Sequence, residues 1–338
     1  MNPDPRLLVQ TSPFLRRGVT TPRLMGDVVL ALIPVLAAAV WHFGLSALLV
    51  VAAASAGAAG AEWAFGRSPR GFSLRDGSAA VTGIILGLTL PPGIPLWMAF
   101  LGGGIGIGLG KLVWGGLGQN LFNPALVGRA FLQAAFPTTL TTWNPPGDLL
   151  ALRSSNFAVP LMQAPADAIT SATPLNLMKF SHEPTALASL LTGSVAGSLG
   201  ETSAGLILLA GIWMGLRRTL DWRIPVSVLL SVAVFSGILF AIAPGRFPSP
   251  VFMLLSGGLL FGAVYMASDP VTSPTAPMGV WVFGAGIGFL VVLIRVWGGL
   301  PEGVMYAILL MNAAVPLVER ATQPRAFGRL RSGTAKTS

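Results

Sequence analysis

The sequence predicts an all-α polytopic membrane protein: about ten transmembrane helices in two inverted five-helix halves, with some of the helices broken. Three observations carry this. Of 338 residues, 53% are hydrophobic and 10% charged, whereas soluble domains carry about 25% charged residues. Apolar runs recur along the chain and stop for one long polar interval from Phe136 to near Glu201. A set of short motifs occurs twice, once on each side of that interval.

Residues 1–26 are polar and basic, with Arg6, Arg16, Arg17 and Arg23, and read as a cytoplasmic segment. No cleavable signal peptide is visible in them. The first half, 27–136, holds five apolar runs. They cover Asp27–Val40, Leu45–Ala64, Ser78–Leu90, Leu96–Val113 and Pro124–Ala135. Pro91-Pro92 ends the third, as prolines end helices. Residues 137–202, rich in Pro, Thr, Ser and Asn, form a loop without a span. The second half, 203–318, carries runs at Ala204–Leu216, Pro225–Ala243, Val251–Met266, Gly279–Ile294 and Gly303–Val318, and 319–338 is a basic tail. Several runs fall short of the roughly 20 residues that a span needs, which is why broken helices are expected.

Lysine and arginine are concentrated on the cytoplasmic side of membrane proteins. With both termini inside, sixteen of the 21 fall inside, Lys111 among them; Arg153, Lys179, Arg246 and Arg295 fall outside, and Arg129 lies in the fifth run. The net charge of +9 is thus a topology signal, and no nucleic-acid partner is needed to explain it. Five spans then place the long loop on the external side. Arg129 is costly in lipid and should face a carboxylate or carbonyls in the interior.

The repeat fits this inverted arrangement. Gly83-Ile84-Ile85-Leu86-Gly87 and Gly258-Leu259-Leu260-Phe261-Gly262 each precede a proline break. Glycine-rich helices follow, and they end in Trp114-Gly115-Gly116-Leu117 and Trp297-Gly298-Gly299-Leu300. Inverted halves place a site near the midplane at their interface.

The chain has no cysteine and two distant histidines, His42 and His182. It can make no thiolate cluster, and no metal or catalytic residue is assigned. Redox chemistry would need an organic cofactor. Asp167, Thr170, Ala172 and Thr173 stand in an Asp-x-x-Thr-x-Ala-Thr pattern within the loop. An exposed threonine with small neighbours and a carboxylate suits esterification by a flavin phosphate. The same residue types favour turns and caps, so both readings stand on residues alone. In Gly118-Gln119-Asn120-Leu121-Phe122-Asn123-Pro124, Asn123 reads as an N-cap with proline following. Asn120 and Asn123 could hold a flavin-like ring, or the glycines could simply make a tight turn. Tyr265 to Pro274 reads as a broken helix containing Asp269. Acids near membrane depth are ion-pathway candidates: Asp76, Asp269, Glu302 and Glu319, the last also a partner for Arg320. Asp27 and Glu62 read as caps or partners of nearby arginines.

Along nearly its whole length the chain resembles a known family. The match runs through Asp76-Gly77-Ser78, Leu90-Pro91-Pro92, Gly118 to Ala125, Gly128-Arg129-Ala130-Phe131 and Ser171-Ala172-Thr173-Pro174-Leu175. It continues through Gly200-Glu201-Thr202-Ser203, Asp221 to Pro225, Ser268 to Pro274 and Pro301-Glu302-Gly303. These residues resemble the RnfD component of Rnf-type ion-translocating ferredoxin:NAD oxidoreductases. More distantly, they resemble the NqrB component of the sodium-translocating NADH:quinone oxidoreductase, whose long N-terminal extension is missing here.

The resemblance implies a subunit in the bacterial cytoplasmic (inner) membrane, inactive alone. It implies FMN linked covalently through its phosphate to Thr173, and electron transfer between flavins or clusters of partner subunits, coupled to Na⁺ or H⁺ movement. A second flavin, non-covalent riboflavin, is implied near Asn120–Ala125. The partners implied are the other members of the complex, a flavin-attaching enzyme and membrane lipid. Ser171 stands where the family usually has glycine, a mild departure. The competing reading is a channel-like solute or ion transporter without a redox role.

Overall fold

The computed structural model describes residues 20–68, 71–160, 171–183, 185–201 and 203–323, without side chains at 67, 68, 71–73 and 75. The expected N-terminal segment and basic tail lie almost wholly outside these, and Asp167 and Thr170 do so entirely.

The described chain is helical apart from a two-residue hairpin pairing Arg67–Ser68 with Gly71–Phe72. On the N-terminal side of the long loop are α1 (Thr21–Phe43), α2 (Leu45–Phe65), α3 (Ser78–Leu88), α4 (Leu96–Ile107) and α5 (Pro124–Ala135). After it come α6 (Ala204–Leu216), α7 (Arg223–Ile242), α8 (Pro250–Leu255), α9 (Pro277–Trp297) and α10 (Val304–Thr322). Five of these, α1, α2, α7, α9 and α10, are long and apolar enough to cross a membrane, and α3, α4 and α6 are shorter apolar helices. The described part of the loop holds short turns of helix, such as Pro137–Thr141 and Ser154–Phe157.

Several expected boundaries move, for local reasons. α1 opens at Thr21 rather than Asp27, because Pro22 suits a first helical turn and Arg23-Leu24-Met25 continue it. The fourth run becomes α4 plus a π-turn over Gly108–Leu112. The run expected at Val251–Met266 is interrupted within, not only after, the apolar stretch. α8 stops at Leu255, Ser256 is extended, and Gly257 takes φ +62°, a conformation glycine adopts without strain. Helix resumes at Leu259–Phe261 and ends in a π-turn, Gly262–Met266.

Within each half the same pair of helices packs through small residues. A Cβ on Gly57 of α2 would sit 1.9 Å from the Phe100 carbonyl of α4, and one on Gly103 would sit 2.0 Å from the Ala54 carbonyl. Between α7 and α9, Ser227 and Ser231 donate to the Trp281 and Ala285 carbonyls at 2.8 Å each, opposite Gly284 and Gly288. Such close approach is how helices associate where no water drives them together. The first helices of the two halves also meet, and Asp27 of α1 pairs with Arg217, just past α6, at 2.9 Å.

Where helices stop inside the bundle, side chains take up the freed carbonyls, which lipid cannot solvate. Asn156 donates to the Pro92 and Ile94 carbonyls at 3.0 and 2.7 Å. Arg295 donates to those of Met253 and Ser256 at 2.6 and 2.8 Å. Arg129 takes the Thr89 carbonyl at 2.6 Å and Asn123 the Met266 carbonyl at 3.2 Å. The Asn312 amide, oriented to suit its neighbours, donates to the Thr272 carbonyl and accepts from the Asn123 N–H, both at 3.3 Å. Arg129 on α5 and Asn312 on α10 thus play matching parts: each holds the end of a broken segment in its own half and reaches the loop before the last helix of the other half.

Candidate functional site

Thr173 lies within the loop and caps a short helix, Pro174–Asn176, that runs into a π-turn over Leu177–Ser181. Its Oγ1 accepts from the Asn176 N–H at 3.2 Å, so the cap expected from its sequence is formed. The hydroxyl makes no donated bond among the described residues. An ester at that oxygen would therefore replace a free proton and keep the cap. Ser171 is held by its N–H on the Trp143 carbonyl at 2.8 Å, while its own hydroxyl is buried without a partner. Ala172 is exposed and Thr173 half-buried.

Thr173 lines a small cavity of about 40 Å³ with Trp143, Glu201, Pro301 and Glu302. The last four also line a neighbouring cavity of about 180 Å³, with Arg129, Asn176 and Tyr306. Between the two sits a buried charge cluster. Arg129 reaches Glu201 and Glu302, each at 3.1 Å, and Glu302 also accepts from the Gly258 N–H at 2.7 Å. A Cβ on Gly258 would lie 2.6 Å from Glu201 Oε1 and 3.0 Å from Glu302 Oε1, so only glycine admits both carboxylates. Arg129 comes from α5, and Glu201 and Glu302 come from the loops before α6 and α10. The expectation that Arg129 faces a carboxylate or carbonyls holds on both counts. Glu201 entered the sequence reading only as part of a motif. A carboxylate just before an apolar run, with an intramembrane arginine lacking a partner nearby in sequence, is the signal that could have found it.

The remaining candidates fall elsewhere. Asn120, Asn123 and Asp269 line a cavity of about 70 Å³ at the junction of the halves, with Ser78, Lys111 and Tyr265. Asn123 caps α5, its Oδ1 accepting from Ala125 N–H at 3.0 Å and Leu126 N–H at 3.4 Å. Asn120 Oδ1 is buried with no partner. Tyr265 donates to the Ala31 carbonyl of α1 at 2.9 Å and closes one wall. Asp269 accepts from the Val271 N–H and the Thr272 hydroxyl, at 3.3 and 3.2 Å, and so shapes the turn after the π-segment.

Asp76 caps α3 through the Ser78 N–H and hydroxyl, at 2.8 and 2.6 Å, and receives Lys111 at 3.3 Å. Lys111 is 1% exposed and also pairs with Glu62 and Ser78. This corrects its counting with the loop cations, and gives Glu62 a partner in a lysine 49 residues along the chain. The π-turn that ends α4 turns Lys111 inward. Glu319 is a second correction: it accepts from the Thr275 N–H and hydroxyl at 3.0 Å each, and among the described residues it makes no ion pair with Arg320. Adjacent helical residues do not face one another.

The structure therefore gathers Thr173 with Glu302, and Asn120 and Asn123 with Asp269, the latter set reaching Asp76 through Lys111. It leaves Glu319 apart from both. Ser78 at one end of α3 and Thr89 at the other belong to the two clusters, about 16 Å apart along the helix.

Comparison with known proteins agrees along the whole described fold. Residues 8–328 match the NQR2, RnfD, RnfE family. The D component of the ion-translocating oxidoreductase complex of Stutzerimonas stutzeri is 42% identical over 331 residues, covering 91% of this chain and 92% of the relative. The protein of the same description in Yersinia enterocolitica is 39% identical, covering 96% and 99%. The D component of the proton-translocating ferredoxin:NAD(+) oxidoreductase complex of Clostridium ljungdahlii is 37% identical, covering 96% of each. On the strength of a match spanning nearly every residue, the chain belongs to the NQR2, RnfD, RnfE family.

Proposed function

We propose that this chain is the electron-carrying membrane subunit of an ion-translocating ferredoxin:NAD oxidoreductase complex, with FMN covalently held on Thr173. The relatives' descriptions support the membrane oxidoreductase framing. The observation that carries the flavin reading is the Thr173 hydroxyl itself: half-buried, accepting one bond, donating none, and bordering the paired cavities. A flavin bound there would supply one- and two-electron chemistry. The chain's own residues would orient and insulate it: Trp143 and Pro301 as apolar walls, Asn176 as the cap donor, and the Arg129–Glu201–Glu302 cluster as fixed charge below.

At the Asn120 cavity a second, non-covalent flavin would find a free acceptor but not the space. Asn120 Oδ1 lacks a partner there, but the volume of about 70 Å³ is well under the 300–1,000 Å³ of ordinary ligand sites. No step is assigned to a ring there. The Asp76–Lys111–Glu62 network and Asp269 line or adjoin that cavity and are the better candidates for ion movement; Glu302 serves the Thr173 side, and Glu319, at the surface, is the weakest. The ten-span arrangement, with termini in the cytoplasm of a bacterium and the Thr173 loop outside, follows from the charge distribution and fits the matched packing of the halves.

The test is direct. Chain purified from cells with the full complex and its flavin-attaching enzyme should fluoresce as a flavin on a denaturing gel and carry the added mass of an FMN ester. Thr173→Ala should remove both signals. Undiminished fluorescence in that variant would place the attachment elsewhere, and none in the wild type would leave a transporter without redox role as the better reading.

A further inference from the structure

Of the four lysines and arginines that the sequence assigns to the loop side of the molecule, three converge on one pocket. Lys179, Arg246 and Arg295 line a cavity of about 190 Å³ with His182, and no carboxylate lines it. Cations that only decorated a surface would be spread around it. Arg295 is 4% exposed; its two terminal nitrogens hold the Met253 and Ser256 carbonyls, while its Nε is buried with no partner. Arg246 is exposed and, among the described residues, its side chain makes no hydrogen bond or ion pair, lying only near the Phe247 ring at 5.7 Å. Lys179 is anchored on the Gly298 and Leu300 carbonyls. The pocket is therefore built and positively charged, and the carboxylates nearest Arg295, Glu302 and Glu201, lie outside its lining.

Its position says which anion. Two helices long and apolar enough to span, α7 and α9, end against it at Ile242 and Trp297. Spans end at headgroup depth, where tryptophan is enriched. Trp297, 62% exposed, forms the rim and packs against Phe247, the centroids 6.3 Å apart. Ile242 and Val251 beside it are also exposed, leaving an apolar surface for acyl chains beneath a cationic cup.

We propose that this pocket binds the phosphate of an anionic phospholipid, with Arg246 and Lys179 facing the headgroup, Arg295 adding its charge to the wall behind them and Trp297 lying along the glycerol backbone. Basic pockets between spanning helices recognise such headgroups on the cytoplasmic side of membranes, and the same charge pairing operates at the external face. Burial also holds the Lys179 ammonium below the usual lysine range, and an anion alongside would restore it. Leu175 and Pro301 form part of the wall here and part of the wall of the Thr173 cavity, so a lipid seated in this pocket would brace the flavin-bearing segment from outside. The site stands whether or not Thr173 carries flavin.

Native mass spectrometry of the full chain in detergent, titrated with dioctanoyl phosphatidylglycerol and in parallel with dioctanoyl phosphatidylcholine, tests this. The expected result is one phosphatidylglycerol per chain, bound in clear preference to phosphatidylcholine. Arg246→Gln should weaken it about fivefold, and Arg246→Gln with Lys179→Gln by about that factor again, the scale of one basic residue at an anionic membrane. Arg246 holds nothing else in place, so the single variant should melt like wild type and keeps the test meaningful if the double variant does not fold. Equal binding of the two lipids, or a preference untouched by Arg246→Gln, would overturn the proposal. Saturable binding of inorganic phosphate that displaces the lipid would overturn the lipid as the source. Retained preference in Thr173→Ala chain is expected and separates this site from the flavin reading.

Discussion

Replacing Arg129 by glutamine should be among the most damaging single changes in this protein. Arg129 is 11% exposed and holds three acceptors at once: the Thr89 carbonyl, Glu201 and Glu302. Glutamine keeps much of the volume and removes the charge, which leaves two carboxylates facing each other in a nearly dry site. Removing one partner of a buried ion pair costs about 3–5 kcal/mol, and the lost carbonyl bond adds about 1 kcal/mol. Glu302 is 21% exposed, so some of its charge is relieved by water, and a total of about 4 kcal/mol is expected. Denaturant unfolding of the detergent-solubilised chain, followed by tryptophan fluorescence, would read it. The decisive comparison is Arg129→Gln with Glu302→Gln, which leaves one carboxylate in place of two facing each other and should recover about 1–3 kcal/mol. A single variant within about 1 kcal/mol of wild type, or a double variant no better than the single, would refute the account of this cluster as an ion-paired tie between the halves.

Other outcomes follow from the same contacts. Lys111→Met should cost about 3–5 kcal/mol in the same unfolding assay, because it removes a buried cation paired with Glu62 and Asp76. Asn123→Ala removes both the α5 cap and the bond to the Met266 carbonyl, about 2 kcal/mol together. Gly57→Ala, whose new Cβ would strike the Phe100 carbonyl, should lower stability by about 1–3 kcal/mol. Gly60→Ala, one turn along the same helix with only the Phe100 ring tip at 3.9 Å, should be neutral or stabilising by up to about 1 kcal/mol; thermal melting of the two side by side checks this.

Much of the fold was legible because lipid imposes few solutions. α5 and α6 begin and end where apolar content alone put them, since each is bounded by residues with a clear structural preference: Asn123-Pro124 at one start, Arg217-Arg218 at the other end. α1 was mistimed because helix formation is governed by backbone capping, and its first turn is polar. The break at Ser256–Gly258 was missed because hydropathy stays high across it and only the left-handed Gly257 marks it. For the site, Thr173 was legible as a cap in its own four residues. The partners of Arg129 and Lys111 were not, since Glu201, Glu302 and Glu62 lie 72, 173 and 49 residues away. The pairings of Arg129 depend on how the halves are docked and that of Lys111 on how α2 packs against α4, and no local pattern records either.

The way the helix breaks are held carries a consequence for how this sequence can vary. At Thr89, Pro92, Ile94, Met253, Ser256, Met266 and Thr272 the gripped atom is a main-chain carbonyl, and the gripping atom belongs to the side chain of Arg129, Asn156, Arg295, Asn123 or Asn312. A carbonyl is present whatever the residue, so the accepting positions are free to drift among side chains of suitable size. The donors have no such freedom. A saturation-mutagenesis map of this protein should therefore be lopsided at every break, tolerant on the strand of chain that is held and intolerant on the distant residue that holds it.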